Sequence, residues 1–262
     1  MSGEQAVDPA HAVGAVGVVV PARDEEQLLP GCLAALCVSA DRATEEAGVT
    51  VDLLVVLDRC VDGSGRLIAG HPGVRSLVVD VGNVGLARAA GFHDVLGHSP
   101  AMRRDLWLAT TDADSRVPPN WLVEQVGMAE MGADLVLGTV DVDDWSPHPA
   151  YVEQRWRTAY DQGDGHPHVH GANVGLRAEV YQEIGGFPGL ASDEDVAMVA
   201  MLAHHRVLRT GAIPVLTSAR RTGRLSGGFA DHVAALAGAV SPPLHLPLNP
   251  GATTPAGSPD WS

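Results

Sequence analysis

Two acidic clusters in this sequence have the residue types and neighbours that chemistry needs. Asp112 and Asp114, separated by Ala113, follow the apolar run Leu106-Trp107-Leu108-Ala109-Thr110-Thr111. On an extended backbone residues two apart project to one side, so the two carboxylates are expected to share a cation. Hard divalent ions take oxygen ligands and bridge carboxylates to phosphates, which makes Mg2+ or Mn2+ the expected ion and a nucleotide diphosphate a fitting co-ligand. A solvated Asp-rich turn is the plain alternative. The apolar strand before the pair and Pro118-Pro119 after it favour a strand tip. The second cluster, Ser192-Asp193-Glu194-Asp195, precedes the apolar stretch Val196–Ala203. Acids are favourable at a helix start and Ser192 or Asp193 is a suitable cap, which still leaves a neighbouring carboxylate to face a cleft.

The elements that must position these acids follow a rhythm. Apolar runs at Ala15–Val20, Val51–Leu57 and Val74–Val79 alternate with amphipathic stretches at Glu25–Ala40, Gly65–Gly70 and Leu86–Gly97. A strand at Leu106–Thr110, a helix at Pro119–Met131 and a strand at Asp134–Val140 continue it. This predicts an α/β fold with a mostly parallel central sheet flanked by helices, its strands buried on both faces. Ligands in such sheets settle beyond the carboxyl ends of the strands. Arg23, Asp24 and Glu25 stand at the first such end, Asp58 and Arg59 at the second, Asn83 at the third, Asp112 and Asp114 at the fourth. Past Asp141 the rhythm breaks, with helices expected at Tyr151–Tyr160 and Val196–Ala203 and a last strand at Ile213–Ser218. The expected organisation is a loose start over 1–13, one domain over 14–240 divided near 140, and a flexible Pro/Gly-rich tail over 241–262.

Composition sets limits. The 262 residues are 45% hydrophobic and 19% charged, which is ordinary for a globular protein. A formal charge of −15, with every basic residue an arginine, argues against a nucleic-acid partner. Cys32, Cys37 and Cys60 form no metal-ligand spacing and no disulfide framework. With no leader-like start and no apolar run of roughly 18–20 residues, no transmembrane segment is expected and the protein is expected to be cytoplasmic.

In this order, Val19-Val20-Pro21-Ala22-Arg23-Asp24-Glu25-Glu26, Val55–Ser64, Asn83–Gly91, Asp112-Ala113-Asp114, Gly171-Ala172-Asn173, Gly185-Gly186-Phe187 and Glu194-Asp195 resemble the family 2 glycosyltransferases, from about Val18 to Phe229. The resemblance implies a GT-A fold, with a Rossmann-like nucleotide-binding half and an acceptor-binding half. It implies a nucleotide-diphosphate sugar donor bound by Pro21, Ala22, Arg23, Glu25, Asp58, Arg88, Asp112 and Ala113, with Asp112 and Asp114 on the metal. Asp58 and Glu25 suit base or ribose donors, and Arg23 or Arg88 suits phosphate, unless Arg88 serves a structural ion pair. Glu194-Asp195 resembles the family's acidic pair that carries the general base, with Asp195 the expected base and Glu194 second, in a single displacement with inversion. Many relatives have Asp-Asp-Gly-Ser where this chain has Leu57-Asp58-Arg59-Cys60, which leaves the donor base open.

The acceptor, whether small molecule, glycan or lipid-linked, is not legible. Gly171, Ala172 and Asn173 line its side in relatives, and His170 abuts them. His166, His168 and His170 alternate, so they share a side if extended, as a metal or phosphate contact or as an acceptor-side loop. Trp145, Tyr151 and Trp156 offer a platform or simply core. Asp141, Asp143 and Asp144 read as a solvated turn. Arg220, Arg221 and Arg224 read as a flap over the diphosphate or as surface charge. Two rival readings are a sugar-phosphate nucleotidyltransferase, whose Gly-rich basic loop is replaced here by Pro21–Glu26, and a non-catalytic nucleotide-binding module, against which both acidic pairs argue.

Overall fold

A computed structural model of the chain describes residues 11–190, 192–220, 233 and 236. In chain order the elements are β1 (Ala15–Ala22), α1 (Leu29–Ala47), β2 (Thr50–Asp58), α2 (Ser64–Ala69), β3 (Val74–Val79), α3 (Val84–His98), β4 (Leu106–Thr110), β5 (Ser115–Arg116), α4 (Trp121–Glu130), β6 (Leu135–Val142), α5 (Ala150–Ala159), β7 (Val174–Arg177), α6 (Ala178–Glu183), α7 (Glu194–Met201) and β8 (Val207–Thr217). The expected tail over 241–262, most of the expected loose start, Arg221 and Arg224 lie outside the described residues.

One eight-stranded sheet runs in the order β3-β2-β1-β4-β7-β6-β8-β5. The first four strands are parallel, β7 lies antiparallel between β4 and β6, β8 returns parallel to β6, and β5 pairs antiparallel with β8. The expected α/β architecture is therefore present, and β7 and the two-residue β5 are the strands that the apolar rhythm does not announce.

Every residue of β1 is buried, because helices cover both faces. Alternation splits its valines: Val18 and Val20 pack with Leu33 and Leu36 of α1, while Val19 packs with Phe92 and Val95 of α3. A fully buried valine or leucine contributes about 1.5–3 kcal/mol, so these layers fix the strand tips that carry the polar residues. Gly91 lets α3 approach closely, since a Cβ there would lie 2.4 Å from Val19 Cγ1 and 2.7 Å from Val56 Cγ2. Arg88, one turn earlier, is thereby held over the carboxyl end of the sheet.

Candidate active site

Asp112 and Asp114 do not continue an extended strand. β4 stops at Thr110 and the chain turns, with the Ser115 N–H donating to the Asp112 carbonyl at 3.0 Å. The turn gives the two acids different partners: Asp112 meets Arg88, and Asp114 meets Arg220 at 3.0 Å. They remain close enough to feel each other. Burial, and then the Asp112 charge, push the Asp114 carboxyl up to about 6.

Arg88 joins the two acidic clusters. Its guanidinium, with 4% of the side chain exposed, donates to Asp112 Oδ1 and to Glu194 Oε1, the latter at 2.6 Å. Burial alone would lower its pKa, but the carboxylates of Asp112, Glu194 and Asp195 hold it above the ordinary value. Glu194 is buried as well, and burial raises its carboxyl against the pull of Arg88. Asp195 is half-buried, and its Oδ2 accepts the Gly171 N–H at 2.7 Å. A Cβ at Gly171 would lie 2.6 Å from the Arg88 guanidinium, so glycine is what lets this backbone reach Asp195 above the arginine. Neither Ser192 nor Asp193 caps α7. Asp193 is the N-cap residue by position, in the left-handed region with φ of 58° and no side-chain cap bond.

Of the residues expected to bind the donor, Pro21 and Ala22 are buried at the end of β1. Glu25 lies before α1 rather than within it. Its N–H donates to Ser64 Oγ at 3.0 Å, and its two carboxylate oxygens accept from Arg220 Nη1 at 2.7 and 2.8 Å. Arg23 is half-buried and has no ion pair among the described residues. Asp58 holds the turn before α3: its Oδ1 accepts from the Val81 and Gly82 N–H groups and its Oδ2 from that of Asn83, at 2.9–3.1 Å. Asp24, Arg59 and Asp193 are the non-glycine residues with positive φ among those described, and all three flank these tips. Ser64 is an anchor that the sequence does not single out, whereas Gly171, expected on the acceptor side, supplies the N–H that Asp195 accepts. The Asp62-Gly63-Ser64 run was the available signal, since Asp62 accepts the Ser64 and Glu26 N–H groups.

The remaining candidates separate. His166, His168 and His170 do line up, with ring centroids 5.6 and 5.8 Å apart, but their ring nitrogens engage the Leu137 carbonyl, the Asp161 N–H and the Tyr160 hydroxyl. Trp156 stacks on Tyr160 at 4.1 Å and is buried, so it is core rather than a platform. Ala172 is buried beside it. Asn173 is 1% exposed and holds the Trp121 indole N–H and the Thr139 and Ile213 carbonyls. Among the described residues one group of three potential ligands converges, Asp24, Cys60 and Asp62, and backbone amides and a carbonyl already engage its atoms.

The wall formed by Asp112, Asp114, Glu25 and Glu194 presents four carboxylates to two guanidiniums. That leaves two negative charges in surplus along the wall, and Asp112 and Asp114, close enough to feel each other, are oxygen donors of the kind a divalent ion takes. Beside it a cleft of about 320 Å³ is lined by Asp114, Arg220, Leu28, Arg116 and Asp143.

Comparison with known proteins agrees with the fold. The chain is similar in fold to S. aureus TarS 1-349 in complex with UDP-GlcNAc, with TM-score 0.59 and 15% identity over 85% of this chain and 65% of that one. It is likewise similar to the mannosyltransferase PcManGT from Pyrobaculum calidifontis in complex with GDP-Man and Mn2+, with TM-score 0.57 and 15% identity over 82% and 60%. The chain thus spans under two thirds of these proteins' length. No curated protein sequence matches. No helix among the described residues is long and apolar enough to cross a membrane. The sequence model described as "Glycosyl transferase family 2" matches residues 17–185, more than half of the 262-residue chain, and the chain therefore belongs to that family.

Proposed function

We propose that this chain is a metal-assisted, inverting glycosyltransferase that moves a sugar from a nucleotide-diphosphate donor to an acceptor hydroxyl. The observation that carries this reading is the Arg88 bridge, which joins the Asp112 turn to the Glu194-Asp195 start of α7 in one wall. Similarity to proteins solved with UDP-GlcNAc and with GDP-Man and Mn2+ supports the donor class and leaves the base and sugar open.

In this reading Asp195 is the general base. Glu194 is buried on Arg88, whereas Asp195 is half-buried and steadied by the Gly171 N–H. Asp195 takes the proton from the acceptor hydroxyl as that oxygen bonds to the anomeric carbon. The bond from that carbon to the diphosphate oxygen breaks on the opposite face, and its electron pair leaves with the diphosphate. Asp112 and Asp114 would hold a divalent ion, which when bound supplies Lewis-acid stabilisation of the departing diphosphate. Arg23 and Arg220 are the cations suited to phosphate oxygens.

The test is to incubate the purified chain with Mn2+, a panel of nucleotide sugars and candidate acceptors, and to measure released nucleoside diphosphate. Asp195→Asn is expected to lower transfer at least ~100-fold, the scale of a lost general base, with nucleotide affinity kept. A fully active Asn variant would move the base elsewhere. Release of pyrophosphate instead would favour nucleotidyl transfer.

A further inference from the structure

We infer that Arg220 is the resident counter-cation of the carboxylate site and competes there with the divalent ion. The free ion then binds weakly, and it binds well together with a nucleoside diphosphate, which gives Arg220 a new anionic partner. This inference rests on the metal-assisted reading above and adds an internal competitor to it.

Arg220 Nη1 lies 2.7 and 2.8 Å from the two oxygens of Glu25, and Nη2 lies 3.0 Å from Asp114 Oδ2. Both carboxylates are nearly dry, with 6% and 13% of their side chains exposed. Carboxylates so desolvated require a positive partner, and one guanidinium serves both. An ion bound at Asp114 would meet that guanidinium at close range, so the two cations exclude each other.

The two arginines of the wall differ in their freedom. Arg88 is 4% exposed and lies beneath Gly171. Arg220 is 26% exposed, follows β8, and lines the 320 Å³ cleft with Asp114, so it can leave without unpacking the core. Leaving for water alone is unfavourable, because two buried carboxylates lose a donor fork. A diphosphate reverses the balance, since its oxygens accept the same planar fork in charge-assisted bonds. Reciprocity then requires ion and nucleotide to raise each other's affinity by the same factor.

The test titrates the purified chain with MnCl2 alone, with UDP or GDP alone, and with Mn2+ in the presence of each, following free Mn2+ by electron paramagnetic resonance. A tenfold affinity change is the scale of typical coupling between sites, so Arg220→Gln is expected to bind Mn2+ alone about tenfold more tightly than the parent. Its gain from the diphosphate should shrink correspondingly. Arg220→Lys, which keeps the charge, should stay near the parent, and Arg220→Met should behave as Gln does if the Gln variant folds poorly. Unchanged or weaker Mn2+ binding by the folded neutral variants overturns the competition, as does equal tightening by Lys. Asp114→Asn separates the two failures. If it abolishes Mn2+ binding while the Arg220 variants show no tightening, the metal reading stands and the competitor falls. If Mn2+ binding ignores Asp114, both fall.

Discussion

Without Arg88, Glu194 would stand in a dry site with no counter-charge, while Asp112 would lose its partner to the solvent side. Breaking a buried pair by removing one member costs about 3–5 kcal/mol, so Arg88→Met is expected to lose that much stability in chemical denaturation. Pairing it with Glu194→Gln should return part of the loss, because the orphaned charge is gone. A loss below about 1 kcal/mol in the single variant would mark the bridge as solvent-screened. The acids of this network were legible in the sequence by type and position: Asp112 and Asp114 follow an apolar run, and Glu194 and Asp195 open a helix. The links between them were not. Arg88 lies 106 positions from Glu194, and Arg220 lies 195 from Glu25, so no local spacing records either contact.

Asp58 acts on an element rather than on a single atom, because its carboxylate collects three successive backbone N–H groups and so ties the start of α3 to the tip of β2. Asn83 then caps α3 by accepting the Leu86 N–H at 2.8 Å. Asp58→Ala is therefore expected to speed amide hydrogen exchange at Val81, Gly82 and Asn83 about tenfold, the effect of about 1.4 kcal/mol of lost local protection, with no nucleotide present. Unchanged exchange would leave Asp58 with a ligand-facing role alone. The same contrast explains which elements the sequence announced. β1, β2 and β4 are continuous apolar runs because helices cover both of their faces, and their positions follow from composition. β7 is four residues between glycine-rich and helical segments, and its place between β4 and β6 depends on an antiparallel return set by distant partners. The Asp112–Asp114 turn eluded the alternation argument because β4 ends at Thr110.

Across the whole molecule, the sheet joins a parallel half, β3-β2-β1-β4, which carries the tips bearing Asp58 and Asp112, to a mixed half, β7-β6-β8-β5, which carries Asp195's support and Arg220 at its edges. With a net charge of −15, the molecule as a whole repels an anionic nucleotide, so the proposed donor would have to be attracted locally, by the arginines at the rim and a bound cation. The two halves meet where β4 pairs with β7, and just before β7 Asn173 ties α4 to the mixed half, its amide accepting from Trp121 on α4 and donating to carbonyls of β6 and β8. Residues of this kind resemble ligand contacts in sequence, since a polar residue beside Gly171 and Ala172 reads equally well as a surface that an acceptor touches. Burial separates the two roles. Asn173→Ala would leave an indole N–H and two carbonyls short of a partner in the interior, a loss of roughly 3–5 kcal/mol at about 1–3 kcal/mol for each unsatisfied group, the carbonyls weighing least. For a chain of this size that lowers the melting temperature by about 10 °C, read by differential scanning calorimetry. Nucleotide affinity measured well below the transition should be unchanged. An unshifted melting temperature with weakened acceptor binding would instead return Asn173 to the cleft and remove this tie between α4 and the sheet.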